Sequence, residues 1–152
     1  MKMFRLVSAV VVLVVLQQCA AQGPCADRLA EVEAILSNSL VVGLEKPRCA
    51  GDDTYLGMQF SGSQAFCVTS TGVNIEGYSV NRWETGTDMN CNCARDQHEY
   101  QKTGMLGKMF SCEPNGNYSP TGCTGSVCYC QDSNGQQIGK GVHIARSGSL
   151  NC

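Results

Sequence analysis

Cysteine is the residue type in this chain with the greatest capacity for chemistry. The sequence contains 11 cysteines in 152 residues, and Cys123, Cys128 and Cys130 lie so close together that they cannot all belong to separate elements of a packed core. Thiols at this density can form disulfides, can bind zinc or can include a catalytic nucleophile. The spacing favours a cross-linked knot.

Catalysis and zinc binding are the alternatives to cross-linking. A nucleophile requires a general base, and the chain contains only two histidines, His98 in a polar helix candidate and His143 in the closing segment. We expect neither to be catalytic, and we expect no enzymatic activity. Close-set thiols occur as Cys91-Asn92-Cys93 and Cys128-Tyr129-Cys130. Because the chain carries a secretion signal, we expect disulfides there rather than metal, and no cofactor.

The secretion signal consists of Lys2 and Arg5, the apolar run LVSAVVVLVVL and the small residues Cys19-Ala20-Ala21. We predict a signal peptide over residues 1–21 and a secreted, extracellular mature chain of 131 residues (152 minus 21) that begins at Gln22. The apolar run is too short to span a bilayer comfortably. Ten cysteines remain in the mature chain, and an even, dense count in a secreted chain indicates disulfides.

Charge and hydropathy exclude two classes of partner. Without the signal, nine Lys and Arg face thirteen Asp and Glu, which gives a formal charge of −4. Phosphate binding needs clustered positive charge, so we expect no nucleic-acid partner. No later segment has the run of roughly 20 apolar residues that spans a bilayer, so we expect no membrane association.

An internal repeat organises the mature chain. A shift of 63 residues places Cys49 on Cys112 and Cys67 on Cys130. The same shift also matches Tyr55 with Tyr118, Gly62 with Gly125, Ser63 with Ser126, Gly72 with Gly135, and Ile75 with Ile138. We therefore predict two tandem modules, residues 22–91 and residues 93–152.

The repeat also predicts the disulfide pairing. Phe60 stands where Cys123 stands, and Ala65 stands where Cys128 stands, so two cysteines are lost together, as one disulfide would be. Cys123 then pairs with Cys128, and the others are most simply joined in chain order, as Cys25–Cys49, Cys67–Cys91, Cys93–Cys112 and Cys130–Cys152. Each larger loop contributes about 3 kcal/mol by chain entropy. We expect Cys91 and Cys93 to serve different modules, which makes the linker a single residue and the pair of modules rather stiff.

Local patterns predict a small α+β fold. Leu29, Val32, Ile35 and Leu36 form a helical stripe, which predicts a helix at residues 26–37 that packs on its module's disulfides, and residues 94–101 are a shorter candidate. Residues 58–60 and 65–69 predict a hairpin, and residues 132–135 predict a turn between two extended pieces. We expect residues 73–90 to be mostly irregular, with Trp83 packed against a disulfide.

Two apolar loops precede the second cysteine of each module. Residues 40–44 read LVVGL and residues 103–110 read TGMLGKMF. Such loops either fold back into a small core or form an exposed patch that docks in a cleft. A glycosylation sequon occurs at Asn117, but Pro120 follows it directly and Tyr118 is a repeat position, so we do not expect a glycan.

These residues resemble the thyroglobulin type-1 domain over nearly all of residues 25–152. The second module shows Tyr118, Gly122-Cys123, Cys128-Tyr129-Cys130-Gln131, Asp132, Gly135 and Cys152, and the first shows Tyr55, Gln59-Phe60, Ala65-Phe66-Cys67-Val68, Gly72 and Cys91. The second module departs from the family pattern with Gly for Gln, Tyr for Trp and Gln for Val. The first module lacks the middle disulfide.

The resemblance implies a fold and a function. Each module would have a short N-terminal helix, a small antiparallel sheet and three loops gathered at one end. In thyropins, the members that inhibit papain-like cysteine proteases, that end is a wedge that reversibly fills the active-site cleft. By position, the wedge residues are Val41, Val42, Gly43, Leu44, Ser61, Gly62 and Ser63 in the first module, and Met105, Leu106, Gly107, Thr124, Gly125 and Ser126 in the second. The third loop lies before the last cysteine and is not placed residue by residue.

Two functions follow from this resemblance. The first is a secreted, monomeric inhibitor whose partner is a papain-like, cathepsin-type cysteine protease. The second is a non-inhibitory extracellular binding or structural module of matrix, shell, egg or body fluid. The apolar first loops favour the inhibitor, and the altered family positions favour the binding module.

Overall fold

The computed structural model describes residues 24–38, 40–85 and 88–152, and the predicted signal peptide lies outside them. The described chain is a small, disulfide-rich α+β protein, as predicted. Its elements are α1 (Pro24–Asn38), β1 (Met58–Ser61), β2 (Gln64–Val68), β3 (Asn74–Asn81), a first 3₁₀ helix (Arg82–Glu84), α2 (Asn92–Lys102), β4 (Thr121–Thr124), β5 (Val127–Gln131), β6 (Gln137–His143) and a second 3₁₀ helix (Ile144–Ser149).

Two antiparallel three-stranded sheets lie within the described ranges, one in order β1-β2-β3 and the other in order β4-β5-β6. The first belongs to residues 24–91, here called the first half, and the second to residues 92–152, the second half. A two-residue turn joins the first two strands of each sheet, and the glycine of each turn has a positive φ of 57° (Gly62 and Gly125). Glycine adopts this conformation without strain, which explains its place in both repeats.

Strand β3 corrects a prediction from the sequence. Residues 73–90 were expected to be mostly irregular, but Asn74–Asn81 form a strand that pairs with β2. The register of this pair shifts between Phe66 and Val68, where β3 carries extra residues, and Gly77 lies in that segment with a φ of 86°. A bulge of this kind interrupts the alternation of apolar and polar residues, so the period of two is not visible in the sequence.

Five disulfides cross-link residues 25–152. They join Cys25 to Cys49, Cys67 to Cys91, Cys93 to Cys112, Cys123 to Cys128, and Cys130 to Cys152, which are the pairs expected from the repeat. Their sulfurs are therefore bonded to one another and are not available as thiolates for zinc. The Cys123–Cys128 bond lies directly across β4 and β5, where Phe60 faces Ala65 in the first sheet.

Helix α1 begins two residues before its predicted start and ends one residue after its predicted end. Cys25 and Val32 are buried, whereas Leu29 and Leu36 are half-buried and Ile35 is exposed. The predicted stripe is therefore covered at its N-terminal part and opens toward solvent at the C-terminal part. The backbone N–H of Ala26 donates to the Asp53 carboxylate at 2.8 Å, which satisfies one of the free donors of the helix N-terminus.

Helix α2 belongs to the second half but packs on the sheet of the first half. Ala94 is fully buried in one cluster with Ala65, Cys67 and Ile75. The Arg95 guanidinium donates to the carbonyls of Val68 and Tyr55, each at 2.7 Å. Burial lowers the pKa of Arg95 from its ordinary value, and arginine remains charged in proteins, so both hydrogen bonds are charge-assisted.

Asn117 is a buried connection between the halves, with 7% of its surface exposed. Its side-chain carbonyl accepts the backbone N–H groups of Asn90 at 2.8 Å and Cys91 at 3.3 Å, and its amide donates to the Asp88 carbonyl at 3.0 Å. The nitrogen to which a glycan would be attached is this donor. Because this side chain is buried, the folded chain has no room for a glycan at the sequon unless the packing around Asn117 opens.

A glutamine side-chain amide occupies the equivalent place in both hairpins, but it comes from a different strand in each half. In the first half, buried Gln59 on β1 donates to the Leu56 carbonyl at 2.9 Å. The equivalent position in the second half is Gly122, and there Gln131 on β5 donates to the Ser119 carbonyl at 2.8 Å. A Cβ atom on Gly122 would lie 2.1 Å from the Gln131 side-chain oxygen, so Gln131 occupies the space that a residue-122 side chain would fill.

We expect Asn117→Ala to reduce the free energy of unfolding by about 3 kcal/mol, because three buried hydrogen bonds are lost at once. Urea unfolding of the oxidised protein measures this loss. Asn134→Ala is the matched control, because exposed Asn134 also accepts a hydrogen bond from an asparagine, the Asn92 side chain at 3.0 Å, but within the second half. We expect that control to change stability by less than about 0.5 kcal/mol. Equal effects of the two substitutions would contradict the bridging role of Asn117.

We expect Gly122→Gln and Gln131→Val to compensate each other. Each single variant should lose about 1–2 kcal/mol, because the first displaces the Gln131 amide and the second removes it from the Ser119 carbonyl. The double variant reproduces the Gln59 and Val68 arrangement of the first half, so its stability should return to within about 0.5 kcal/mol of the parent. Additive losses in urea unfolding would show that the two positions do not share one space.

Candidate protein-binding edges

The first-half edge consists of the loop 40–45, the hairpin turn 61–64 and the first 3₁₀ helix. In the loop, Leu40, Val41 and Val42 are exposed, and Leu44 is half-buried. Val42 is 96% exposed. Gly43 has a φ of 87°, which turns the backbone between the two apolar residues on either side of it. The apolar loop therefore projects Val42 into solvent, and it does not fold back into the core as one reading of the sequence allowed.

The first 3₁₀ helix follows β3 directly and is fixed to the hairpin turn. The backbone N–H of Arg82 donates to the Ser63 carbonyl at 2.8 Å. At the start of this helix, the Glu84 carboxylate accepts the backbone N–H of Asn81 at 3.1 Å and its side-chain amide at 3.0 Å. These bonds give the short helix a defined position beside Ser61, Gly62 and Ser63.

The Arg82 side chain joins this helix to the apolar loop. Its guanidinium donates to both oxygens of Glu45, at 3.0 and 3.1 Å, and lies 4.1 Å from the centre of the Phe60 ring. Arg48 approaches the same ring at 5.6 Å. Phe60 stands at the position of Cys123, so an aromatic ring with two cations occupies the place of the missing disulfide and links the three segments of the edge.

The second-half edge consists of the loop 103–109, the hairpin turn 124–127 and the second 3₁₀ helix. Lys108 and Thr124 form a backbone bridge that joins the loop to the hairpin. The backbone N–H of Ile144 donates to the Ser126 carbonyl at 2.8 Å, which joins the helix to the same hairpin. This bond has the same form as the bond from Arg82 to Ser63 in the first half.

The second-half edge presents an apolar surface. Leu106 is 95% exposed, and Met105, Met109, Val127 and Ile144 are also exposed. A groove of about 560 Å³ runs below the loop between α2 and Phe110. Solvent-exposed apolar groups that are gathered at one edge are typical of a protein-binding surface.

The predicted second-loop residues all lie at hairpin ends. Ser61, Gly62, Ser63, Thr124, Gly125 and Ser126 are exposed at the turns, and Gly107 lies beside the tip of the second-half loop. In each half, hydrogen bonds or bridges place the hairpin turn against the 3₁₀ helix, and in the second half also against the apolar loop. Their role as wedge residues remains a prediction.

Trp83 is the residue of the first-half edge whose exposure the sequence prediction missed. It was expected to pack against a disulfide, but it is 75% exposed on the first 3₁₀ helix. The sequence carries a signal that predicts this helix, because Asn81 followed three residues later by Glu84 is the pattern of a capping box. A helix that starts directly after the strand turns Trp83 away from the core.

The alternative chemistries have little support in the described residues. His143 uses its Nδ1 atom to accept the backbone N–H of Ala145 at 3.2 Å, which caps the second 3₁₀ helix. Within residues 24–38, 40–85 and 88–152, no group of three or more His, Cys, Asp or Glu side chains is placed to hold a metal ion. No helix in those ranges is long and apolar enough to cross a membrane.

Comparison with known proteins identifies similarity to thyroglobulin. No family model matches the chain. The chain is 29% identical over 96 residues to thyroglobulin of Rattus norvegicus, and 27% identical over 96 residues to thyroglobulin of Homo sapiens. Each match covers 60% of this chain but only 4% of the length of the thyroglobulin. The similarity supports a thyroglobulin type-1-like domain, in agreement with the resemblance of the cysteine, tyrosine and glycine positions.

We expect Arg82→Gln to loosen the first-half edge. The substitution removes the paired hydrogen bonds to Glu45 and the cation above Phe60, so amide exchange in residues 79–85 should become faster while the free energy of unfolding falls by only about 1 kcal/mol. Hydrogen exchange followed by mass spectrometry measures the first effect. Arg28→Gln is the control, because Arg28 pairs with Glu31 on the exposed face of α1. Unchanged exchange in Arg82→Gln would contradict the linking role of Arg82.

Proposed function

We propose that this chain is a secreted inhibitor of papain-like cysteine proteases and that it acts reversibly by filling the active-site cleft. In this proposal, residues 22–91 and 93–152 are two tandem thyroglobulin type-1 modules of an extracellular monomer. The similarity to thyroglobulin supports the domain type. The arrangement of the two loop edges supports the mode of action.

One observation carries the proposal. The exposed apolar loop around Leu106 is held against the hairpin by a backbone bridge, beside the Cys123–Cys128 disulfide, and the second 3₁₀ helix is bonded to the same hairpin. A leucine that is 95% exposed gives the folded chain no burial energy, so its place at a braced tip suits contact with a partner. The cross-linked loop loses little conformational entropy on docking, which favours tight binding by a small surface.

The mechanism requires no covalent step. The apolar tip displaces water from an apolar cleft, and the rigid edge excludes substrate from the catalytic groups of the protease. The cysteines of the described residues are all in disulfides, so those residues supply no thiol nucleophile. In the first half, Val42 replaces Leu44 as the expected tip, because Leu44 is half-buried and Val42 is 96% exposed.

The first test is titration of papain and cathepsin L with the purified, oxidised mature chain at mildly acidic pH, using a fluorogenic substrate. Inhibition at nanomolar concentration is the expected result. Mass analysis after incubation in the assay reductant verifies that the disulfides remain closed. A folded chain that does not inhibit at micromolar concentration would favour the non-inhibitory binding or structural module instead.

Leu106→Asp tests the apolar tip of the second half. A charged group that is placed in an apolar contact should weaken inhibition through this edge by about 100-fold, whereas the free protein should keep its stability because Leu106 is exposed. Ile138→Asp is the matched control, because Ile138 is 55% exposed near the opposite end of the same sheet. Equal inhibition constants for the two variants would remove Leu106 from the contact.

Val42→Asp gives the same test for the first half, with Val73→Asp as its control. Val73 is 57% exposed in the turn between β2 and β3, away from the first-half edge. If only one of Leu106→Asp and Val42→Asp weakens inhibition, the activity belongs to one half. If both variants weaken it and neither control does, both edges bind protease.

A further inference from the structure

Trp83 combines the largest side chain among the amino-acid types with an exposed position on the first 3₁₀ helix, one of the three segments of the first-half edge. It is the only tryptophan of the sequence and is 75% exposed. Its neighbour Arg82 contacts the hairpin turn through the Ser63 carbonyl and the apolar loop through Glu45. Trp83 therefore directly follows the residue that joins the three segments of this edge.

The backbone that carries Trp83 is fixed on both sides. Before it, Arg82 is held by its backbone bond to Ser63, its two bonds to Glu45 and its contact with the Phe60 ring. After it, Glu84 is held by two hydrogen bonds to Asn81. An exposed aromatic side chain on a fixed backbone loses little entropy on binding, and tryptophan is the residue type most enriched among the energetically dominant contacts of protein interfaces.

The second half has a different residue at this position. The bond from Ile144 to Ser126 corresponds to the bond from Arg82 to Ser63, and Asn81 and His143 each precede their 3₁₀ helix. Ala145 is thus the counterpart of Trp83. The second-half edge bears its largest exposed apolar groups on the first loop, whereas the first-half edge bears an indole on the 3₁₀ helix.

We propose that Trp83 is the anchor residue of the first-half edge and the specificity-determining residue by which this edge differs from the second-half edge. This inference rests on the proposed function. The indole enters an apolar recess of the protease cleft that has an oxygen acceptor for its N–H group, because an indole buried without such an acceptor would leave a donor unpaired. Ala145 cannot fill such a recess, so the two edges select among proteases by different contacts.

The sole tryptophan provides a direct reporter. Trp83 is replaced biosynthetically by 5-fluorotryptophan in the full, oxidised Leu106→Asp chain, in which the second-half tip is disabled. The spectrum then has one ¹⁹F resonance. Addition of unlabelled papain whose catalytic cysteine is changed to alanine should shift and broaden this resonance, because the indole moves from water into the cleft.

Inhibition constants measured in the same background provide the second readout. Trp83→Ala in the Leu106→Asp chain should weaken the remaining inhibition of papain by about 30-fold, and Trp83→Phe should weaken it less because a flat ring is kept. Val73→Ala, an exposed apolar change away from the edge, should have no effect. Thermal unfolding of all variants should match the parent, because each altered side chain is exposed.

Each contrary result has a distinct meaning. If the Leu106→Asp chain still inhibits but the ¹⁹F resonance and the Trp83→Ala constant do not change, Trp83 is not the anchor and the proposed function stands. If the parent inhibits but the Leu106→Asp chain does not, the first-half edge does not bind and the inference on Trp83 is wrong. If the parent chain does not inhibit, the proposed function and the inference are both wrong.

Discussion

The close contact of the Cys67–Cys91 disulfide with the second half is the constraint on which the rest of the structure depends. Both cysteines are fully buried, and a Cβ atom on Gly116 would lie 2.4 Å from the Cys67 sulfur. Only glycine at residue 116 permits this approach, and its positive φ of 79° also favours glycine. The turn that contains Gly116 then places Asn117 against the backbone of Asn90 and Cys91. The sheet of the first half, helix α2 and the second half are all positioned from this contact.

Much of the fold follows from the cysteines because disulfide spacing is a strong and local signal. The repeat with its shift of 63 residues gave the disulfide pairs that the structure contains, and it also matched Tyr55 with Tyr118 and Gly72 with Gly135. In both halves the tyrosine ring fills the space above the glycine, where a Cβ atom would lie 2.7 Å or less from the ring. The sequence alone did not reveal strand β3, since the bulge around Gly77 hides its alternation. It also did not reveal the sharing of helix α2, since that packing joins residues that are distant in the chain.

The candidate edges were predicted in part for similar reasons. Turn residues such as Gly62 and Gly125 have local signals, so the hairpin ends could be placed from the sequence. Exposure of Val42 and burial of part of Leu44 depend on how the loop turns at Gly43, and sequence patterns do not resolve such a turn. Trp83 was misplaced because a large aromatic residue is usually buried in small domains. The contact of the Phe60 ring with Arg82 was also not foreseen. The missing cysteine pair predicts that a disulfide is absent, but it does not predict which side chains fill its place.

The packing of α2 on the sheet of the first half determines how the chain can be used as a whole. Because the helix of one half completes the core of the other, the described residues hold the two edges at one distance and in one relative direction. In a chain with a flexible linker, binding at one site raises the local concentration of the second site over a broad range of target geometries. In this chain, the second site gains from binding at the first only if the spacing of the target's sites matches that of the two edges. A target with two sites at the matching spacing would be bound with strongly increased avidity, and a target with any other spacing would be bound through one edge at a time.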